Sequence, residues 1–216
     1  MAESKRIIND FCITFSTING SGSATANTTL MRAIFKMGVP VSGKNIFPSN
    51  IQGQPTWFSL RVSSKGYFGR KEREDIVVAM NPATVARDVK KIKPGGVLLI
   101  PDDFTVSEVP QEIHVYTMPI KKIMREIEIS SKLREYIANM VYVGILSFLL
   151  GIPLDLVESA LDFHFKGKRS AIDPNLAAVR AAHTWASENL IKEDAFFVQT
   201  MDATRGCIMA DGNLAG

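Results

Sequence analysis

The six residues from Asp75 to Met80, Asp-Ile-Val-Val-Ala-Met, constrain the fold of this chain more than any other stretch. A short unbroken apolar run marks a strand covered on both faces, the environment of a central position in a parallel sheet. Neighbouring parallel strands need crossovers, usually helices. Phe11 to Ile18 reads as a buried strand. The turn formers Asn19-Gly20-Ser21-Gly22-Ser23 follow it, and then a helix from Ala24 to Met37 with Leu30, Met31, Ile34 and Phe35 inward, closed by Gly38-Val39-Pro40. Gly43 to Pro55 has no period and reads as a polar loop. Thr56 to Ser64 alternates, predicting a strand with no helix before it, so the sheet is mixed.

Asn81-Pro82 predicts the start of a second helix with a buried stripe of Val85, Val89 and Ile92, ended by Lys93-Pro94-Gly95-Gly96. Val97 to Ile100 and Ile113 to Met118 read as further strands. From Pro119 the pattern turns helical: one long apolar helix from Ser131 to Gly151, another from Pro153 to Phe165, and a third started by Asp173-Pro174. The order implies an α/β fold: a Rossmann-like three-layer α/β/α arrangement with a mixed sheet and a helical C-terminal half. That half is expected to pack on the sheet, so residues 1–205 count as one domain.

Composition excludes several classes. Of 216 residues 46 % are hydrophobic and 22 % charged, which suits an ordinary globular core. A net charge of +3 gives no reason to expect a nucleic-acid partner. Cys12 and Cys207 lack metal-ligand spacing, which excludes a disulfide scaffold or zinc module; a cytoplasmic location is expected. Asn9 and Asp10 interrupt the N-terminal apolar pair, so no signal peptide is read there. The run from Met140 to Ile152 falls short of the ~18 apolar residues of a membrane span and reads as a buried helix, with no membrane partner.

Chemistry concentrates in two loops. In Gly20, Ser21, Gly22 and Ser23 a glycine-rich turn between strand and helix puts backbone N–H groups where a phosphate can dock, and Ser21, Ser23 and Thr25 add hydroxyls. Thr25 stands where a dinucleotide fingerprint wants its third glycine, and Val39 to Lys44 carries no carboxylate for a ribose, so a nicotinamide site is not expected. A tight turn without a ligand is the competing reading. The second loop runs from Lys44 and Asn45 through Pro48, Ser49, Asn50, Gln52 and Gly53 to Trp57. Its amides suit hydrogen bonding to a partner or polar ligand, Lys44 suits a phosphate or carboxylate, and a capped structural loop is the alternative. Lys166-Gly167-Lys168-Arg169 reads as a solvated face with some capacity to grip a phosphate. His164, between Phe163 and Phe165, is expected to be partly buried and structural. No catalytic residue emerges.

These same loops resemble the gamma domain of 2-oxoacid:ferredoxin oxidoreductases, and more closely the N-terminal part of a 2-oxoglutarate-type alpha subunit in which gamma and alpha domains are fused. The resemblance rests on Asn19 to Ser23, Arg32 to Gly38, Lys44 to Trp57, Met80-Asn81-Pro82 and Lys93 to Gly96. It covers nearly the whole chain, and 206–216 is similar to a linker and the opening of a pyrimidine-binding alpha domain. The resemblance implies oxidative decarboxylation of a 2-oxoacid to acyl-CoA with electrons passed to ferredoxin. It implies thiamine diphosphate, Mg and an iron–sulfur cluster in the alpha and beta parts, coenzyme A as co-substrate, and an oligomeric assembly with the alpha domain and beta subunit. Gly20 to Ser23 become candidate contacts for coenzyme A, with Lys44 and Asn45. Pro48, Ser49, Asn50, Gln52 and Gly53 become a loop facing cofactor or substrate across a domain boundary. A stand-alone nucleotide- or coenzyme-A-binding module and a structural assembly domain are the alternative readings.

Overall fold

A computed structural model describes residues 6–47, 51, 53–106 and 108–210. Six strands form the main sheet: β2 (Asp10–Ile18), β3 (Val41–Ile46), β4 (Pro55–Ser63), β5 (Glu74–Ala79), β6 (Ile92–Pro101) and β7 (His114–Met118). Their order is β3-β4-β2-β5-β6-β7. β2, β5, β6 and β7 run parallel, and β4 is antiparallel to both β2 and β3. A second, two-stranded sheet pairs β1 (Ile7–Ile8) with β8 (Phe196–Phe197). The helices are α1 (Ser23–Lys36), α2 (Val85–Val89), α3 (Ile120–Arg125), α4 (Ser131–Ile137), α5 (Met140–Leu150), α6 (Leu154–Phe165) and α7 (Arg169–Asn189).

Strand alternation decides which layer covers which face. Phe11, Ile13 and Phe15, with Phe58, Leu60, Ile76, Val78 and Leu99, point into one large apolar core with α1, α5, α6 and α7. Each such side chain, fully buried, is worth about 1.5–3 kcal/mol. The intervening residues Val77, Ala79, Leu98 and Ile100 form a smaller core with Val85 and Val89 of α2. The asymmetry begins at β2 and β4. Their second-face residues Thr14, Ser16, Ser59 and Arg61 are polar yet buried.

Five local expectations are corrected. The polar stretch after residue 40 is not all loop: 41–46 is the edge strand β3. Its pattern was silent because an edge strand needs no apolar alternation, and Gly43 leaves room for a close neighbour; a Cβ there would lie 2.3 Å from the Phe58 ring and 2.7 Å from the Met31 sulfur. Ile92 and Lys93 to Gly96 belong to β6, because α2 stops at Val89. Asn81 makes an Asx turn, its Oδ1 accepting from the Ala83 N–H at 3.1 Å, and the helix caps at Thr84 instead. The long apolar segment is two helices, α4 and α5, parted at Ala138–Asn139. Every residue of α5 except Phe148 is buried. Helix α7 starts at Arg169, and Pro174 lies within it, where it brings no N–H to the Ser170 carbonyl.

The C-terminal segment returns across the molecule. The Tyr116 hydroxyl donates to Asp194 Oδ2 at 2.9 Å and accepts the Glu193 N–H at 2.9 Å. Burial, opposed by the hydrogen bond from Glu193, pushes the phenol from its ordinary 10.0 up to about 12. A raised folded value means that the neutral phenol is the stabilising form. Its contribution is complete below pH 10 and disappears as pH rises through about 12. Hydrogen exchange of the β1–β8 amides should therefore hold constant to pH 10, after correction for intrinsic rates, and accelerate between 10 and 12, in step with tyrosinate absorbance. Tyr116→Phe should abolish that step and expose the segment already at neutral pH.

Candidate functional site

The first glycine turn sits where β2 ends and α1 begins. Gly20 and Gly22 have φ of 87° and 84°, left-handed values that explain the choice of glycine at both positions. Gly22 caps α1, and a Cβ on it would lie 3.0 Å from the Tyr136 carbonyl. The turn is tied down from the helical layer: Asn139 Nδ2 donates to the Ser21 carbonyl at 2.7 Å, and the Tyr142 hydroxyl donates to Asn27 Oδ1 at 2.8 Å. The expected serines separate. The Ser23 hydroxyl is buried and bonded to Thr17 at 3.0 Å, so it is not free to meet a ligand. Ser21 Oγ is buried with no hydrogen-bond partner.

The second loop meets the first through Asn19. The Asn19 N–H donates to the Gln54 carbonyl at 2.9 Å, the Gly53 N–H donates to the Asn19 carbonyl at 3.1 Å, and Asn19 Nδ2 donates to the Ile51 carbonyl at 3.2 Å. Gly53 has φ of 85° and open space beside it. Lys44 and Asn45 are exposed on β3 and do not line the cleft described next. Pro48, Ser49, Asn50 and Gln52, and the tail 211–216, lie outside the described residues.

Beside the turn is a cleft of about 370 Å³, within the size range of small-molecule sites. Gly22 and Thr25 form one wall, Leu133 and Tyr136 a second, and Phe165, Lys168 and Ser170 a third. The cleft therefore joins the N-terminal ends of α1 and α7. The first N–H groups of a helix lack partners within it, and each N-terminus acts as about half a positive charge. Lys168 adds a full charge. The site suits an anionic group attached to an apolar body. The sequence marked Lys168 as part of a solvated basic face with some capacity to grip a phosphate; the glycine before it and the helix after it are the signals that could have ranked it higher. Tyr136 and Phe165 gave no such signal, being indistinguishable from core aromatics.

The histidines stay apart from this cleft. His164 is exposed, not partly buried, with its ring edge-on to Phe165 at a centroid distance of 4.8 Å. Local desolvation, helped by the charge of Arg32, holds it below its ordinary pKa. Among the described residues no three His, Cys, Asp or Glu side chains gather as a metal site would require.

The fold is that of a Rossmann-like α/β domain, with its glycine turn and anion-suited cleft at the end of the first long strand. The chain belongs to the pyruvate ferredoxin/flavodoxin oxidoreductase family, whose sequence pattern matches residues 12–185. A curated relative is the alpha subunit of 2-oxoacid:ferredoxin oxidoreductase 2 from Aeropyrum pernix, 23 % identical over 209 residues, covering 78 % of this chain and 32 % of the relative. The chain thus spans about a third of that relative's length. Among the solved structures that share the fold are two oxidoreductases. One is the 2-oxoglutarate:ferredoxin oxidoreductase of Magnetococcus marinus with 2-oxoglutarate, coenzyme A and succinyl-CoA bound (TM-score 0.75, 24 % identity, 93 % of this chain and 34 % of that one). The other is the gamma subunit of a keto/oxoacid ferredoxin oxidoreductase from Geobacter sulfurreducens (TM-score 0.65, 19 % identity, 82 % of this chain and 99 % of that one).

Proposed function

We propose that this chain is the gamma portion of a 2-oxoglutarate-type 2-oxoacid:ferredoxin oxidoreductase and that its cleft holds the phosphates of coenzyme A. The observation that carries this is the meeting of two helix N-termini and Lys168 in one cleft with apolar walls. The coenzyme A and 2-oxoglutarate held by the Magnetococcus marinus structure support it. In this reading coenzyme A accepts the acyl group. This chain orients it: the backbone N–H groups of Gly22 to Ala24 and of Arg169 and Ser170 face the phosphates, Lys168 neutralises charge, and Tyr136 and Phe165 wall the organic part. Thiamine diphosphate, Mg and the iron–sulfur cluster belong to the alpha domain and beta subunit, which pass electrons to ferredoxin in the cytoplasm. Residues 1–205 form the gamma domain and 206–216 lead into the alpha domain.

Co-expression with a longer alpha part and a beta subunit should give coenzyme-A-dependent oxidation of 2-oxoglutarate. Lys168→Ala should raise the KM for coenzyme A roughly tenfold with kcat unchanged, the signature of lost uniform binding to a charged group. Full activity of an assembly lacking residues 1–190 would refute the role. Micromolar binding of coenzyme A to the lone chain, measured by calorimetry, would favour a stand-alone binding module.

A further inference from the structure

The polar half of the sheet's second face carries a second pocket, which shares no residue with the cleft at the glycine turn. It has a volume of about 190 Å³ and lies between Ile46 of the edge strand, Trp57 of β4, Thr14 of β2, Glu74 and Val77 of β5, and the Arg87–Lys91 end of α2. Its rim is cationic: Arg70, Arg87 and Lys91 all line it. Its carboxylates are buried and mostly engaged. Glu74 accepts from Thr14 Oγ1 at 2.6 Å and from Arg70 at 3.1 Å. Asp88, 1 % exposed, accepts the Trp57 indole N–H on Oδ1 at 3.1 Å, and the Arg87 guanidinium lies 4.4 Å over the Trp57 ring. Asp88 Oδ2 is buried with no hydrogen-bond partner.

Those features restrict a ligand. Three cations against two carboxylates leave one positive charge, so the rim favours a carboxylate. A buried carboxylate oxygen without a donor has lost its water and gained nothing in exchange, and a donor brought by a ligand recovers that loss. The apolar surfaces of Trp57, Val77 and Ile46 accept a short carbon skeleton. We propose that this pocket is a binding site for a small organic acid that also carries an N–H or O–H donor, the shared chemistry of amino acids and hydroxy acids. The carboxylate pairs with the rim, and the donor reaches Asp88 Oδ2 by a turn of that side chain. The inference does not rest on the coenzyme A reading, because the two sites share no residue.

Trp57 reports on the pocket directly. Titration of the 216-residue chain with L-glutamate, 2-hydroxyglutarate and glutarate compares one five-carbon skeleton with an ammonium donor, a hydroxyl donor and no donor. A saturable change in tryptophan fluorescence is expected with at least one donor-bearing acid at millimolar concentration or below. Glutarate should bind roughly tenfold or more weakly, the worth of one charge-assisted hydrogen bond. Preference for glutamate would assign an amino acid, and preference for 2-hydroxyglutarate a hydroxy acid. Asp88→Asn should erase the discrimination, and Lys91→Gln, on the exposed rim, should weaken all three acids alike. Trp57→Phe should remove the signal and leave that of Trp185. Equal binding of glutarate would overturn the proposal by showing a bare anion site. So would the absence of saturation to about 10 mM, where binding free energy falls under roughly 3 kcal/mol, or discrimination unchanged in Asp88→Asn.

Discussion

Gly144→Ala is expected to destabilise the chain more than any other single-methyl addition in the helical layer. Gly144 lies in the middle of α5, where that helix crosses α7. A Cβ there would sit 2.3 Å from the Val179 carbonyl oxygen, 2.7 Å from the Ala182 Cβ and 3.0 Å from the His183 nitrogen. Two of these three atoms are backbone, so relief requires moving α7 as a body. That helix brings Ala178, Val179, Ala182 and Ala186 into the main core, each 0 % exposed. Overpacking commonly costs 1–3 kcal/mol, and a clash with rigid backbone belongs at or above the top of that range. Against a total stability of about 5–15 kcal/mol this is a large share. Urea unfolding should show a midpoint lowered by the equivalent of roughly 3 kcal/mol with an unchanged slope. Ala182→Gly in the same chain should restore only a minor part, because the Val179 carbonyl remains in the way. A midpoint within 0.5 kcal/mol of the parent, about the range of neutral surface changes, would show that α5 and α7 are not packed this closely.

The second large effect is expected at Gly38, and it should be local. Gly38 follows α1 with φ of 80°, a conformation costly to any residue with a Cβ. An added Cβ would fall 1.8 Å from the Met201 carbonyl oxygen and 2.4 Å from its carbon. The segment near residue 201 is fixed there by the Met201 N–H donating to the Met37 carbonyl and by the Thr204 hydroxyl donating to the Phe35 carbonyl, both at 2.8 Å. The first bond satisfies the Met37 carbonyl at the end of α1, and the second adds a donor to the Phe35 carbonyl, which also accepts the Gly38 N–H at 3.0 Å. Gly38→Ala cannot keep both the turn and the clamp. The 199–206 segment should detach, while β1, β8 and the Tyr116–Asp194 contact hold the chain before it. Limited proteolysis should cut the variant after Gln199 at least tenfold faster than the parent, whereas the main unfolding transition should fall by about 1–2 kcal/mol, the strain expected of a forced left-handed residue. Equal proteolysis rates would mean that the clamp does not hold in solution.

The sequence was legible wherever burial is local. The Ile76 to Ala79 strand, Phe11 to Ile18, the glycine turn and α1 all stand where their patterns put them, and the lack of a helix before Trp57 correctly marked a mixed sheet. It was illegible wherever an element depends on something distant. The edge strand β3 carries Ser42, Gly43, Lys44 and Asn45, and only pairing with β4 makes it a strand. Ile92 has equal claim to a helical stripe or a strand start, and the register of β5 against β6 assigned it to the strand. Of the candidate site, the glycine turn was readable because its left-handed backbone demands glycine. The cleft beside it was not, since its walls come from α4, α6 and α7.

By itself, then, the chain's order of residues determined the sheet's centre, the turn that follows its first long strand, and membership of a family through short motifs. These depend on neighbours within a few positions, which the side-chain period records directly. Only the tertiary structure decided that Lys168 faces Gly22 across a cleft, that the Asn19 turn meets Gly53, and that Trp57 and Asp88 share a pocket. Those approaches are set by how closely layers can come together, and that distance is governed by single small residues such as Gly22, Gly38 and Gly144, whose missing side chains leave no periodic trace in the sequence.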